Sequence, residues 1–310
     1  VSETSALFDA ARTGDRTALA RLLSLIERGG SEARVVGRLS FSMAGPASTV
    51  GITGAPGAGK STLTSALVSR VRAAGSEVAV LAVDPSSPFT GGAILGDRVR
   101  MSDHSLDRGV FIRSMATRGH LGGLSLAVPE AVRLLDAAGF PLVIIETVGV
   151  GQVEVEIAGE ADTTVVVVNP GWGDAVQANK AGLMEIADVF VVNKADRAGL
   201  RDTLTDIERM LSLRSADGWR PPIVATTATT GDGLDELMAA IEAHQQWSIG
   251  SGDRATRRAK RTEVELDRIL TTQLLARVTA LHDGDAWEGV VEDVRSQRID
   301  PWSAAEDLLR

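Results

Sequence analysis

Residues 54–61 read Gly54, Ala55, Pro56, Gly57, Ala58, Gly59, Lys60 and Ser61, with Thr62 directly after, and fit the pattern G-x-x-x-x-G-K-[ST]. A run of this kind can cradle a chain of phosphates. Glycines at 54, 57 and 59 allow backbone angles and close approaches that a Cβ would block. The loop amides and the positive end of the following helix then surround an anion. Lys60 is expected to reach the outer phosphates and Ser61 to offer its hydroxyl to Mg2+. The context agrees: VGIT before the loop reads as a strand, and TLTSALVSRVRAAG after it reads as a helix.

A second group, Asn193, Lys194 and Asp196, ends the apolar run VFVV with the spacing N-K-x-D. A carboxylate at Asp196 can accept from both N1–H and the 2-amino group of guanine. Adenine offers neither donor, and a site that strands a polar group rejects the wrong ligand strongly. Lys194 is expected along the base and ribose, and Asn193 as a tie between loops. Thr227 and Ala228, in TTATTGDGL, stand at the next strand end, where a backbone amide would meet guanine O6. The expected ligands are GTP and GDP with Mg2+.

Two acids close apolar runs: Asp84 ends VAVLAVD and Glu146 ends PLVIIE, while Asp97 lies in the loop GGAILGDRVR. A carboxylate at the end of a buried strand is costly without a partner, and hydrated magnesium would be one. A solvated loop acid would also explain either strand-end acid singly. Glu146–Gly149 reads ETVG and is followed by Val150, whereas small GTPases carry D-x-x-G and then a water-orienting glutamine. Intrinsic hydrolysis is therefore expected to be slow and accelerated by a partner. The glycine-rich stretch 85–118 reads as a switch; one of Arg98, Arg100, Arg113 and Arg118 could serve as an arginine finger, while a surface or structural role is the stronger reading of each singly. A second candidate switch spans 169–181, where Asp174, Gln177 and Lys180 share a face if the segment is helical.

These residues need a scaffold. Short β-branched runs at 49–53, 77–83, 110–113, 142–146, 163–168, 189–193 and 223–227 alternate with amphipathic segments. Runs apolar throughout indicate strands covered on both faces, and the alternation predicts an α/β fold with a doubly wound, mostly parallel sheet. Ligands then sit beyond the carboxyl ends of the strands, where all the motifs fall. Residues 1–47 read as a helical segment, 48–247 as the P-loop domain and 248–310 as a helical extension. SIGSGD at 248–253 reads as a linker, and 254–281 as one long helix, basic at first and then carrying an apolar stripe. Its own domain or a second copy of the chain would cover that stripe; the reading favoured here is a dimer.

Composition narrows the classes. The 310 residues carry a formal net charge of −9, no cysteine and four scattered histidines. The field opposes a polyanion, so no nucleic-acid partner is expected. Thiolate metal sites and disulfides are excluded. No apolar run approaches the ~20 residues of a membrane span, and the first ten residues lack a leader pattern. A cytoplasmic protein without a membrane partner is expected.

The combination of ETVG, PSSPFTGGAILGDRVRM, PGWGDAVQANKAGLMEIAD and NKAD resembles the MeaB/methylmalonic aciduria type A (ArgK-like) GTPases of the SIMIBI class of P-loop proteins, across nearly the whole chain. The resemblance implies a homodimeric GTPase chaperone that gates adenosylcobalamin loading and protects an acyl-CoA mutase, most often methylmalonyl-CoA mutase. It implies that Lys60, Ser61, Asp84, Asp97 and Glu146 form the phosphate–magnesium set, with Lys60, Asp97 and Glu146 catalytic. It puts Asp174, Gln177 and Lys180 in a switch that couples to the partner, and makes the C-terminal helix the dimer arm. Trp172 stands where relatives carry a small residue. Three alternatives are weaker. A transport-associated ATPase or kinase conflicts with NKAD, and a metal-delivery GTPase wants Cys/His ligands. A signal-recognition GTPase wants a basic or methionine-rich module.

Overall fold

A computed structural model describes residues 3–43, 45–84, 104, 106–116, 126–147, 159–172, 177–213, 218–282 and 285–309. The first three helices are α1 (Glu3–Arg12), α2 (Arg16–Arg28) and α3 (Gly30–Met43). Asp15 starts α2 by accepting from the amides of Thr17 and Ala18 at 2.8 and 3.0 Å, satisfying donors that a first helical turn leaves open. The chain then runs through β1 (Ser48–Gly54), α4 (Lys60–Ala73), β2 (Val78–Asp84), β3 (Val110–Ala116), α5 (Ala127–Ala137) and β4 (Leu142–Thr147). It continues with β5 (Thr163–Val168), α6 (Gln177–Ile186), β6 (Val189–Asn193), α7 (Leu200–Leu211), β7 (Ile223–Thr226) and α8 (Leu234–Gly250). The last helices are α9 (Asp253–His282), α10 (Asp285–Arg295) and α11 (Pro301–Leu309).

The seven strands form one sheet in the order β3-β2-β4-β1-β5-β6-β7, every adjacent pair parallel. This is the doubly wound sheet expected from the sequence. Strands such as TTVVVV are buried at every position because helices cover both faces. On one face Val50, Ile52, Val80, Ile144, Val165 and Val191 pack with Leu63 and Leu67 of α4 and Leu237 and Ile241 of α8. The other face divides. Over β2, β3 and β4 the core is closed by α5 and by Phe8, Leu19, Leu22, Leu23 and Ile26 of the first two helices. Each fully buried leucine there contributes about 2 kcal/mol. Over β5 and β6 it is closed by Trp172, Leu183, Met184 and Ile207.

Two compact units are present, Val1–Ala259 and Lys260–Arg310. In the first, α8 runs to Gly250 and α9 starts at Asp253, so the expected six-residue linker shrinks to the turn Ser251–Gly252. The amide of Ser251 donates to the Trp247 carbonyl at 2.8 Å, and Gly252 takes a φ of +79° that a side chain would resist. In the second unit α9 buries none of its side chains; Leu266, Leu270, Leu274 and Leu275 are exposed. The ring of His282 lies 4.1 Å from that of Trp287 on α10.

Candidate functional site

The phosphate loop leaves β1 and turns directly against β5. Gly54 has φ +132°, and a Cβ there would collide with the Val167 carbonyl oxygen. The next amide, of Ala55, donates to that same oxygen at 3.2 Å. At the other end Gly59 has φ +93°, and a Cβ would come within 2.5 Å of the Asn193 amide nitrogen. Close backbone approach thus requires glycine at 54 and the Asn193 side chain requires it at 59, while Gly57 is set by its φ of +73° alone. Lys60 opens α4 and is buried; its ammonium donates to the carbonyls of Gly54 at 2.6 Å and Ala55 at 3.3 Å. Pro56, Gly57 and, within the first turn of the helix, Thr62 are exposed, while Ala58 is buried.

Ser61 follows, and its hydroxyl donates to Glu146 Oε1 at 2.5 Å. Glu146 is only 1% exposed. The register pairs it with Ile52 of β1 on one side and Ala82 of β2 on the other. Asp84 lies two residues beyond Ala82 at the end of β2, so its backbone reaches the same end of the sheet. The Asp84 side chain and all of Asp97 lie outside the described residues, as do Asp174 and Val150. Gln177 and Lys180 fall on α6, and their side chains are likewise not described.

Asn193 joins three segments. Its amide nitrogen donates to the Ala58 carbonyl at 2.8 Å, and its oxygen accepts from Thr226 Oγ1 and from the Ala228 amide, both at 3.1 Å. Lys194 adopts φ +61°, a left-handed conformation costing about 1 kcal/mol, and its ammonium donates to the Gly57 carbonyl at 2.5 Å. The Ala195 amide donates to the Thr226 carbonyl at 3.0 Å, which supports that turn. Asp196 is exposed at the same strand end, and Thr227 is buried. The phosphate loop, NKAD and the loop after β7 are therefore one hydrogen-bonded assembly. Two lysines and a helix start supply positive charge in a chain that is acidic overall.

Residues 19–283 match the family described as "Methylmalonyl Co-A mutase-associated GTPase MeaB". The chain belongs to the MeaB family. A Pyrococcus abyssi protein named as a GTPase is 48% identical over 308 residues, covering 98% of this chain and 95% of its own. The GTPase ArgK of Escherichia coli is 40% identical over 241 residues, covering 74% of this chain and 72% of its own. A solved structure described as an LAO/AO transport system kinase superposes with a TM-score of 0.73 at 27% identity, over 99% of this chain and 97% of that one. As a P-loop member of the MeaB family, the chain is a GTP-hydrolysing enzyme that binds guanine nucleotide.

Arg113, a candidate finger, donates to Ser24 at 3.1 Å and to Glu27, both on α2. His104 shares a hydrogen bond with Ser65 Oγ at 3.1 Å, and Asp107 takes two bonds from Arg72, at 2.8 and 3.0 Å. His104 and the turn 106–109, inside the first candidate switch, are thereby fixed to α4. The Arg72 bonds and the Gly109 amide hold the Asp107 carboxyl below its ordinary range.

A larger charged cluster, missed from the sequence, lies at the opposite end of the sheet. Asp162, 1% exposed before β5, is paired with Arg254 and Arg258 from the first turns of α9. Asp188, before β6, accepts from Arg257 twice at 3.0 Å and from the Thr164 amide at 2.8 Å, with His244 Nε2 at 3.3 Å. Burial pulls the Asp188 carboxyl up, but His244 and Arg257 outweigh it, so it rests below its ordinary range. Both acids stand immediately before all-buried strands, a sequence signal equal to the one at the strands' other ends. Among the described residues no helix is long and apolar enough to cross a membrane.

Proposed function

We propose that this GTPase gates adenosylcobalamin loading onto an acyl-CoA mutase, methylmalonyl-CoA mutase foremost, and protects that enzyme, working as a homodimer in the cytoplasm. The observation that carries the reading is the match of residues 19–283 to a family described by its association with that mutase. Supporting it, ETVG is followed by Val150 rather than glutamine, which suits a slow switch awaiting a partner. In this reading 1–47 buttresses the sheet, 48–247 is the nucleotide domain and 248–310 is the dimer arm. The exposed leucine stripe of α9 supports a second copy as its cover.

Within the site, Lys60 holds the outer phosphates and Asp196 reads N1–H and the 2-amino group of guanine. Asn193 and Lys194 brace the loop behind them, with Thr227 and the Ala228 amide at O6. The Ser61 hydroxyl and Glu146 carboxylate, 2.5 Å apart at a helix start, are hard oxygen donors that suit Mg2+, with Asp84 and Asp97 completing the set. These residues would hold magnesium, which would supply charge neutralisation at the phosphate oxygens. Lys60 then stabilises the leaving diphosphate, and Glu146 keeps Ser61 oriented. Asp174, Gln177 and Lys180 transmit nucleotide state to the partner.

The description of the solved structure as an LAO/AO transport system kinase motivates a second reading, a transport-associated ATPase or kinase. Capture from native lysate, with GDP and with a non-hydrolysable GTP analogue, separates the two. An acyl-CoA mutase retained in a nucleotide-dependent manner supports the chaperone; its absence in both states overturns the partner assignment.

A further inference from the structure

Strands β1 and β4 pair from Ser48↔Leu142 to Ile52↔Glu146, and there their pairing stops. Beyond that rung each strand follows its other neighbour. Thr53 and Gly54 continue with Val166 and Val167 of β5, while Thr147 continues with Val83 of β2. The sheet therefore parts between β1 and β4 at the level of Glu146 and the phosphate loop, as expected at the switch point of a doubly wound sheet. At the next position up, where a further rung would fall, the Thr147 hydroxyl donates to Thr53 Oγ1 at 3.2 Å. Both side chains are buried.

Packing on this face leaves that bond a distinct task. Val143 and Ile145 of β4 belong to one apolar cluster, and Val166 and Val168 of β5 belong to another. The strand between them, β1, gives its aliphatic side chains Val50 and Ile52 to the opposite face. By strand alternation it presents Thr49, Gly51 and Thr53 to this one. A seam of small and polar residues thus separates the two clusters, and the hydroxyl pair spans it at the nucleotide end. On the opposite face, one rung back, stands Glu146, in contact with Ser61.

We infer that Thr53 and Thr147 form a positioning pair that holds the end of β4 against the phosphate-loop strand and so sets Glu146 relative to Ser61. The pair touches neither nucleotide nor metal. It acts through Glu146, and the inference rests on the proposed magnesium role of Glu146 and Ser61. A lost bond leaves the Glu146 carboxylate free to shift with the strand end. Because positioning tolerances at such sites are a fraction of an ångström, the effect is felt in the metal-dependent steps rather than in base recognition.

The test uses the full-length protein with Thr147→Val, an isosteric change that deletes the donor, and Thr147→Ser, which keeps it. Single-turnover GTP hydrolysis should slow, and the Mg2+ needed for half-maximal rate should rise, each by about tenfold in the valine variant. The serine variant should return to within about threefold of the parent. GDP affinity measured in EDTA should be unchanged in both. Ser61→Ala serves as the control for the metal reading. If Ser61→Ala leaves the Mg2+ requirement unchanged, the magnesium assignment fails. If Ser61→Ala raises it while Thr147→Val does not, the positioning pair fails. A valine variant that loses EDTA-state GDP affinity and thermal stability together, without rescue by serine, also overturns the inference.

Discussion

Asn193→Ala is the sharpest perturbation of the nucleotide site. The side chain is 2% exposed and makes three hydrogen bonds, to the Ala58 carbonyl, Thr226 Oγ1 and the Ala228 amide. Alanine leaves all three groups without that partner. At about 1 kcal/mol per bond the total is about 3 kcal/mol. Expressed wholly on binding, that is about two powers of ten in affinity; part will fall on folding stability instead. A loss of tenfold to a hundredfold is therefore expected, on the order of 1.4–3 kcal/mol. It should be nearly equal for GTP and GDP, because the tie braces loops common to both. Fluorescence titration with both nucleotides, beside a thermal melt, gives the two parts separately. Affinity within about threefold of the parent, with an unchanged melting point, would refute the claim that Asn193 joins the three loops into one site.

Other consequences follow from the same geometry. Asp196→Asn replaces an acceptor with a donor, so preference should move from guanine to xanthine nucleotides; retained GTP preference in a competition titration contradicts the base assignment. Asp188 has a depressed carboxyl, so its contribution is present above the ordinary carboxylate range and lost as pH falls through its folded value. Asp188→Ala should cost about 3 kcal/mol at neutral pH and flatten the acid limb of a stability–pH curve; an unchanged limb contradicts this. Leu270→Glu with Leu274→Glu, on the exposed stripe of α9, should halve the mass seen by light scattering and leave GDP affinity intact. An unchanged mass would place any dimer contact elsewhere.

The strands and the phosphate loop were legible because their signals are local. VFVVN and LVIIET are apolar without alternation, and GAPGAGKS needs only its flanking strand and helix. NKAD was legible as a spacing, and the structure adds why it sits where it does: Asn193 spans to Ala58, 135 residues away. The charged cluster at the opposite end of the sheet was not legible. Asp84 and Glu146 stand out because each closes an apolar run. Asp162 and Asp188 begin strands, and their partners Arg254, Arg257 and Arg258 lie far along the chain in a run that resembles an ordinary solvated helix face. The turn between α8 and α9 was overestimated because glycine and serine suggest a linker. Here Gly250 ends one helix, and Gly252 supplies the positive φ that lets the next begin. The Thr53–Thr147 pair depends on where two strands diverge, which no single-chain pattern encodes.

In the proposed function this MeaB-family enzyme is a slow GTPase timed by an acyl-CoA mutase. Single-turnover hydrolysis, measured with the purified full chain alone and with added mutase, tests it most directly. The account predicts slow turnover alone and an acceleration of at least about tenfold on adding methylmalonyl-CoA mutase, absent in Lys60→Ala. Fast hydrolysis by the isolated protein, or a rate indifferent to the mutase, would contradict it.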